Sequence, residues 1–465
     1  MNTLLYVGLG LAIALMVGVA VWSGSPKRQK KNKGLPSILV TGLIIGTMIG
    51  GSSTVGTAQL AYNYGMEAWW YTLGSGIAAL ILGIFYTRKY RENGSPTLLG
   101  MVRDEYGPKV GRVATVMNIL GTMINLLAQL FAGSAVVLVV LPMLGTLPTI
   151  IITAVLMLLY VVFGATKGAG IVGVLKCFLL YAAMLTTGII AFVKIGGIGN
   201  VFAAFSDFSA ETGRNYLNLF NQGFGKDFGS LISVVLGILS TETYAQAIIK
   251  ACDEKNARRG AIIAALMCPP IGILGILVGL YMRTVTDPAT FPVKTALTSF
   301  ILEYSGLPTI IAGFLLGALL LVSVGSGAGL SLGVATMINR EFVKTKKISE
   351  EWILRIIIAV VLIVATVLCC TPISDTIISF SFLSMGLRAC TTFAPLTFLF
   401  FGKRKIKSGY AVASICCGTL ITFVLGTLNL YKVIKLPMDA VIPGVTVGLM
   451  IMLIGYLKGK KKEML

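Results

Sequence analysis

Gly42-Leu43-Ile44-Ile45-Gly46-Thr47-Met48-Ile49-Gly50-Gly51-Ser52-Ser53-Thr54-Val55-Gly56 reads as a membrane-spanning helix that cannot remain a helix. Gly42, Gly46 and Gly50 recur every fourth residue and leave one face bare, so another helix can approach closely. The run from Gly50 to Thr54 then falls mid-span, where glycine and hydroxyl side chains weaken the helical hydrogen-bond ladder. In hydrocarbon such a break survives only where the freed carbonyls and amides face protein, a cavity or a ligand. Many transporters build ion and substrate sites from broken helices of this kind. The competing reading is a glycine packing face with nothing bound.

Working outward, hydrophobic residues make up 56% of the 465 residues and charged ones 12%, the balance of a polytopic membrane protein. The formal charge of +20 does not point to nucleic acid, because the basic residues cluster in short loops between apolar spans. With no histidine, imidazole metal sites and histidine-based triads are excluded. The eight cysteines form neither a disulfide framework nor a CxxC metal motif and read as small packing residues.

Thr3 to Ser23 is apolar with Lys27, Arg28, Lys30, Lys31 and Lys33 behind it, so it reads as a retained first helix with the N-terminus outside. Windows of about 20 apolar residues follow near 36–61, 66–87, 113–141, 147–163, 170–193, 229–249, 260–282, 307–338, 353–370, 376–401, 409–429 and 440–457. The chain is therefore expected to be all-α, with about thirteen transmembrane helices. Nearly all Lys and Arg fall in 24–35, 86–112, 164–169, 250–259, 339–352, 402–408 and the tail 458–465, which places these loops and the C-terminus in the cytoplasm. The longer outside segments, 195–228 and 283–306, suit lids or interfacial helices.

A second interruption, Gly237-Ile238-Leu239-Ser240-Thr241-Glu242-Thr243, lies five spans after the first, so its helix enters from the opposite side. Breaks in corresponding helices of two inverted five-span units point to a midplane site. In the span 307–338, Gly325, Gly329 and Gly333 repeat the spacing of Gly42, Gly46 and Gly50, and the two glycine faces are expected to meet, with Ser323 and Ser326 alongside. Lys176, Glu242 and Arg388 stand deep in spans, where ionisable residues are costly and usually functional.

At these residues the sequence resembles the sodium/solute symporter family. The similar stretches are Gly46 to Gly65 ending Tyr62-Asn63-Tyr64-Gly65, Tyr244-Ala245-Gln246 leading into Ala257-Arg258-Arg259-Gly260, Gly306-Leu307-Pro308 continuing to Gly325-Ser326-Gly327-Ala328-Gly329-Leu330, and Phe393-Ala394-Pro395. The resemblance implies a LeuT-type fold of inverted five-helix repeats with broken first and sixth core helices, and import of a small polar or zwitterionic solute by alternating access on a sodium gradient. It divides the chain into an extra helix and basic loop at 1–35, repeats at 36–194 and 229–401, a lid between them at 195–228, and two terminal helices at 402–465. The family's sodium carbonyls fall on Gly46, Ile49 and Val322, and its hydroxyl pair on Gly325 and Ser326, so one ligand is missing. Nor is there an acid at 174–181, where the family often carries an aspartate; Lys176 stands there instead.

An ammonium in the place of sodium would make a sodium-independent, proton-coupled carrier, since a desolvated lysine can release and regain its proton. The alternative for Lys176 is snorkelling to the interface. Glu242 and Arg388 either pair with each other or meet a substrate's amine and carboxylate. Ser52, Ser53, Thr54 and Tyr244 complete the expected substrate residues, and Trp69, Trp70 and Tyr71 wall the pocket or mark the interface. An enzyme is not expected, because one deep acid and no histidine leave no catalytic pair. A channel or a substrate sensor on the same scaffold is a more remote reading. The expected partners are a small-molecule substrate and the bilayer, with sodium or a proton as coupling ion and no other cofactor. Oligomeric state is not legible.

Overall fold

The computed structural model describes the chain except for residues 1–2, 24–33, 164–168, 344–348, 372–376 and 460–465. Basic stretches expected at 24–33, 164–168 and 460–465 thus lie outside the described residues. Each apolar window falls on a helix or a broken pair. In chain order these are α1 (Thr3–Ser23), α2 (Ser37–Met48) and α3 (Gly51–Tyr64), then α4 (Trp70–Ile81), which continues through a π turn to Glu92. After α5 (Leu98–Tyr106) come α6 (Pro108–Val140), α7 (Thr146–Phe163), α8 (Ala169–Ile195) and α9 (Ile198–Thr212). The second half holds α10 (Phe224–Leu239), α11 (Glu242–Ile249), α12 (Glu254–Val285), α13 (Thr309–Phe342) and α14 (Glu350–Cys369), followed by α15 (Ile377–Phe401), α16 (Ser408–Leu430) and α17 (Val441–Leu457). Among the described residues, eight helices are long and apolar enough alone to cross a membrane, and α10 with α11, bent by 45°, makes a ninth.

Among the described residues, basic segments 86–112, 250–259 and 339–352 meet on one face. Arg91 donates to the carbonyls of Ile248, Ile249 and Ala251, Arg103 pairs with Glu341 at 2.8 Å, and Lys89 donates to the carbonyl of Phe400. On the same face Leu35 and the segment after α11 exchange two main-chain hydrogen bonds, Leu35 N–H to Lys250 O at 2.9 Å and Cys252 N–H to Leu35 O at 3.0 Å. The opposite face is closed by the segment after α9. Tyr216 donates through its hydroxyl to Asn63 O and accepts from Met66 N–H, while Trp70 donates to Leu219 O. Gly65, at φ +68°, makes the turn beneath it, and a Cβ there would lie 2.3 Å from Tyr216 O.

The expected meeting of two glycine faces does not occur. Gly42 and Gly46 are covered by α8: a Cβ on Gly46 would lie 2.9 Å from Gly173 Cα, and one on Gly173 would lie 2.5 Å from Gly42 O. Gly173 is the small residue that matches them, and backbone approaches backbone across the pair. On α13, Gly329 and Gly333 have open space beside them. Its close glycine contact is with α1, where a Cβ on Gly313 would lie 2.2 Å from Leu5 O.

Candidate functional site

At the first break Ile49 (φ −104°, ψ 109°) and Gly50 (φ −122°, ψ −163°) are extended, and α3 restarts at Gly51. The three hydroxyls expected to face substrate instead hold the break together. Ser53 Oγ accepts from Gly50 N–H at 2.9 Å, and Thr54 donates to Gly50 O and Gly51 O. Gln129 of α6 spans the gap, accepting from Gly51 N–H at 3.0 Å and donating to Ser52 Oγ at 3.0 Å. Its amide is buried in mid-helix, and Asn118, Thr122, Asn125 and Gln129 share one stripe of α6. A search for charged residues alone passes over that stripe.

The Gly46–Gly173 contact decides where Lys176 goes. One turn beyond Gly173, the lysine is 5% exposed, so it does not snorkel. Its Nζ donates to Gly46 O at 2.7 Å and to Ser326 Oγ at 3.0 Å. A Cβ at Gly325 would lie 3.4 Å from both Cε and Nζ, so the side chain missing from that position leaves the space the ammonium uses. Gly46, Ser326 and Lys176 are thereby brought together; Ile49 at the break and Val322 within α13 are buried nearby in sequence. Ser323 packs against Gly51 and donates to its own helix at Leu319 O, away from Lys176.

The second break falls at Ser240 (φ −102°, ψ 5°) and Thr241 (φ −100°, ψ 126°). Here the expected Glu242–Arg388 pair is not formed. Glu242 Oε2 accepts from Leu98 N–H at 2.8 Å and from Leu99 N–H, and Oε1 accepts from Gln246. A carboxylate at a helix N-terminus satisfies donors that have no intrahelical partner, and Glu242 does this for α5. Both its oxygens are engaged by protein donors, and Arg388 is not among them. Arg388 donates to Thr241 Oγ1 at 3.1 Å, to Ser384 Oγ at 2.6 Å and to Ser384 O. Tyr244 and Tyr71 are buried within electrostatic reach of the guanidinium. Trp69 donates to Pro269 O on α12, tying the start of α4 inward.

A cavity of about 410 Å³ opens on the face away from the basic loops, lined by Tyr64, Glu67, Gln222, Phe382, Lys435 and Asp439 among others. None of the residues expected from the sequence lines it. Gln222 of this lining donates through its side chain to Glu67 and through its backbone to Asp227 Oδ2, outside the lining, at 3.0 Å. In the connector before α17, burial pushes the Asp439 carboxyl above the usual carboxylate range, against the opposing pull of Val441 N–H and Ser233.

The sodium:solute symporter family pattern matches residues 33–418. High-affinity choline transporter 1 of Drosophila melanogaster is 23% identical over 400 residues, covering 78% of this chain and 62% of that protein. The uncharacterized symporter YwcA of Bacillus subtilis is 25% identical over 240 residues, covering 51% of this chain and 46% of its own. Human high affinity choline transporter 1 is 22% identical over 454 residues, covering 90% and 76%. The chain thus spans between about half and three quarters of these relatives' lengths. A Na+-coupled sialic acid symporter, solved substrate-bound and outward-open, superposes at TM-score 0.72 with 17% identity over 100% of both chains. A manganese transporter of Eremococcus coleocola matches at TM-score 0.56. These likenesses establish the LeuT-type fold.

Proposed function

The chain belongs to the sodium:solute symporter family, and from that premise we propose that it carries a small polar organic solute across the membrane by alternating access, with the Lys176 ammonium in the place of a sodium ion. Multi-pass membrane location follows from family and fold; the N-terminus outside and the basic face in the cytoplasm belong to this proposal.

One observation carries the reading: Nζ of Lys176 already binds Gly46 O and Ser326 Oγ. The donor set does not fit sodium as well. Two of the oxygens it would use are engaged by a fixed cation, and Gly325 supplies no hydroxyl. The ammonium bridges α2 to α13 as a bound ion would, by charge-assisted hydrogen bonds in a low-dielectric setting. Loss of its proton would weaken both contacts and let α8 part from the first break, so proton release at Nζ is the step that couples to opening.

The test is the melting temperature of purified protein as sodium replaces potassium at constant ionic strength. The expected result is no shift, together with uptake driven by a pH gradient in liposomes, with choline and zwitterionic amino acids as first substrates. A saturable sodium shift lost in Ser326→Ala would replace this reading with a sodium site.

A further inference from the structure

Among the described residues, Arg388 is a cation without an anion. It lies mid-way along α15, 2% exposed, and all its hydrogen-bond partners are neutral. The ion pairs among the described residues are Arg88–Glu92, Arg103–Glu341 and Arg283–Glu211, and none reaches it. Burying a charge without a counter-charge is strongly unfavourable unless something else meets it.

Two further buried groups, on elements that pack against the Arg388 turn, are unpaired. Ser240 Oγ, at 0% exposure, has no hydrogen-bond partner. Its neighbour Thr241 binds Arg388, and Thr392, one turn beyond Arg388, donates to Ser240 O. Asn118 Nδ2, on a residue 3% exposed, is also unpartnered, while its Oδ1 accepts from Thr122. The antiparallel register of α6 and α15 places Asn118 near Arg388. Ser381 donates to Asn125 at 3.1 Å, Ser384 donates to Gly121 O at 2.6 Å, and a Cβ on Gly121 would touch Arg388 Cγ at 3.1 Å. Continued by one more turn, the same register runs from Asn118 toward the turn of α15 that carries Arg388.

A guanidinium, a hydroxyl and an amide N–H are all donors, and nothing in the group offers negative charge. That set repels a quaternary ammonium or a metal ion and attracts an anion. We propose that Arg388, Ser240 and Asn118 bind a single small anion at the second break, either a halide from solution or the carboxylate of the carried solute. The site holds for a halide whatever the protein carries; only the carboxylate source rests on the carrier reading.

The experiment uses the full-length protein in potassium isethionate at fixed pH and ionic strength. Melting is followed as isethionate is replaced by chloride or bromide, and separately as acetate, glycine or trimethylglycine is added. A saturable upward shift is expected for one group of probes, abolished in Arg388→Gln and with apparent Kd raised roughly tenfold in Ser240→Ala and in Asn118→Ala. If Arg388→Gln does not fold, the two neutral variants carry the test. A halide shift assigns the site to solution anions; a shift with carboxylates alone assigns it to the solute. No shift with any probe, or a shift untouched by Ser240→Ala and Asn118→Ala, overturns the proposal. Absent transport in liposomes with the anion shift intact would instead remove the carrier reading and leave the site.

Discussion

The two helix breaks are chemically opposite. At the first, a cation is present with its oxygens already arranged: Lys176 holds Gly46 O and Ser326 Oγ, and Gln129, Ser53 and Thr54 satisfy the loosened backbone. At the second, a cation is present among neutral partners, with Ser240 Oγ and Asn118 Nδ2 left over. A completed polar network in a membrane interior fixes structure, whereas an incomplete one marks a place where something else must arrive.

The contrast is open to direct attack. Lys176→Ala empties the first break, and pH-driven uptake should fall by about tenfold or more while expression is kept; undiminished uptake would make the two breaks equivalent. Combining Lys176→Ala with Gly325→Ser should restore a cation cage of carbonyls and two hydroxyls, and the double variant should gain a saturable sodium-dependent rise in melting temperature. At 100 times its Kd that sodium would stabilise by about 2.7 kcal/mol, and a flat sodium response would show that Gly325 is not the missing ligand.

Glu242→Gln separates the ion pair expected from sequence from the cap actually formed. It should lower stability by about 1–3 kcal/mol, read by chemical or thermal unfolding, with solute affinity unchanged; a changed affinity in a stable protein would return Glu242 to the substrate. The smallest effect concerns Asp439. An acid whose folded pKa is raised holds its proton in the folded state after the unfolded chain has released it, so stability falls as pH climbs from the unfolded value through the folded one. Asp439→Asn should flatten that decline, and equal pH slopes for the two proteins would remove Asp439 as its source.

Much of this architecture is legible in the chain because hydrocarbon demands it. Thirteen apolar windows and the clustering of Lys and Arg reappear as helices and as one cross-linked basic face. The first break falls at Ile49-Gly50, at the edge of the glycine and hydroxyl run, and the second at Ser240-Thr241, where such residues weaken the ladder. Partnerships are less legible. Every-fourth glycine says that a face is bare but not which helix covers it, and Gly173 of α8 wins over the matching triplet on α13. Glu242 and Arg388 invite pairing by charge, yet the carboxylate goes to two amides of α5, a helix start whose own cap, Thr97, is legible but whose use of a distant carboxylate is not.

The paired main-chain bonds between Leu35 and Lys250–Cys252 clasp the approaches to both broken helices on the basic face. The clasp is built from peptide groups, so it needs no particular side chain at these positions. A carrier that opened on this face, as proposed above, would have to break both bonds and remake them in each cycle.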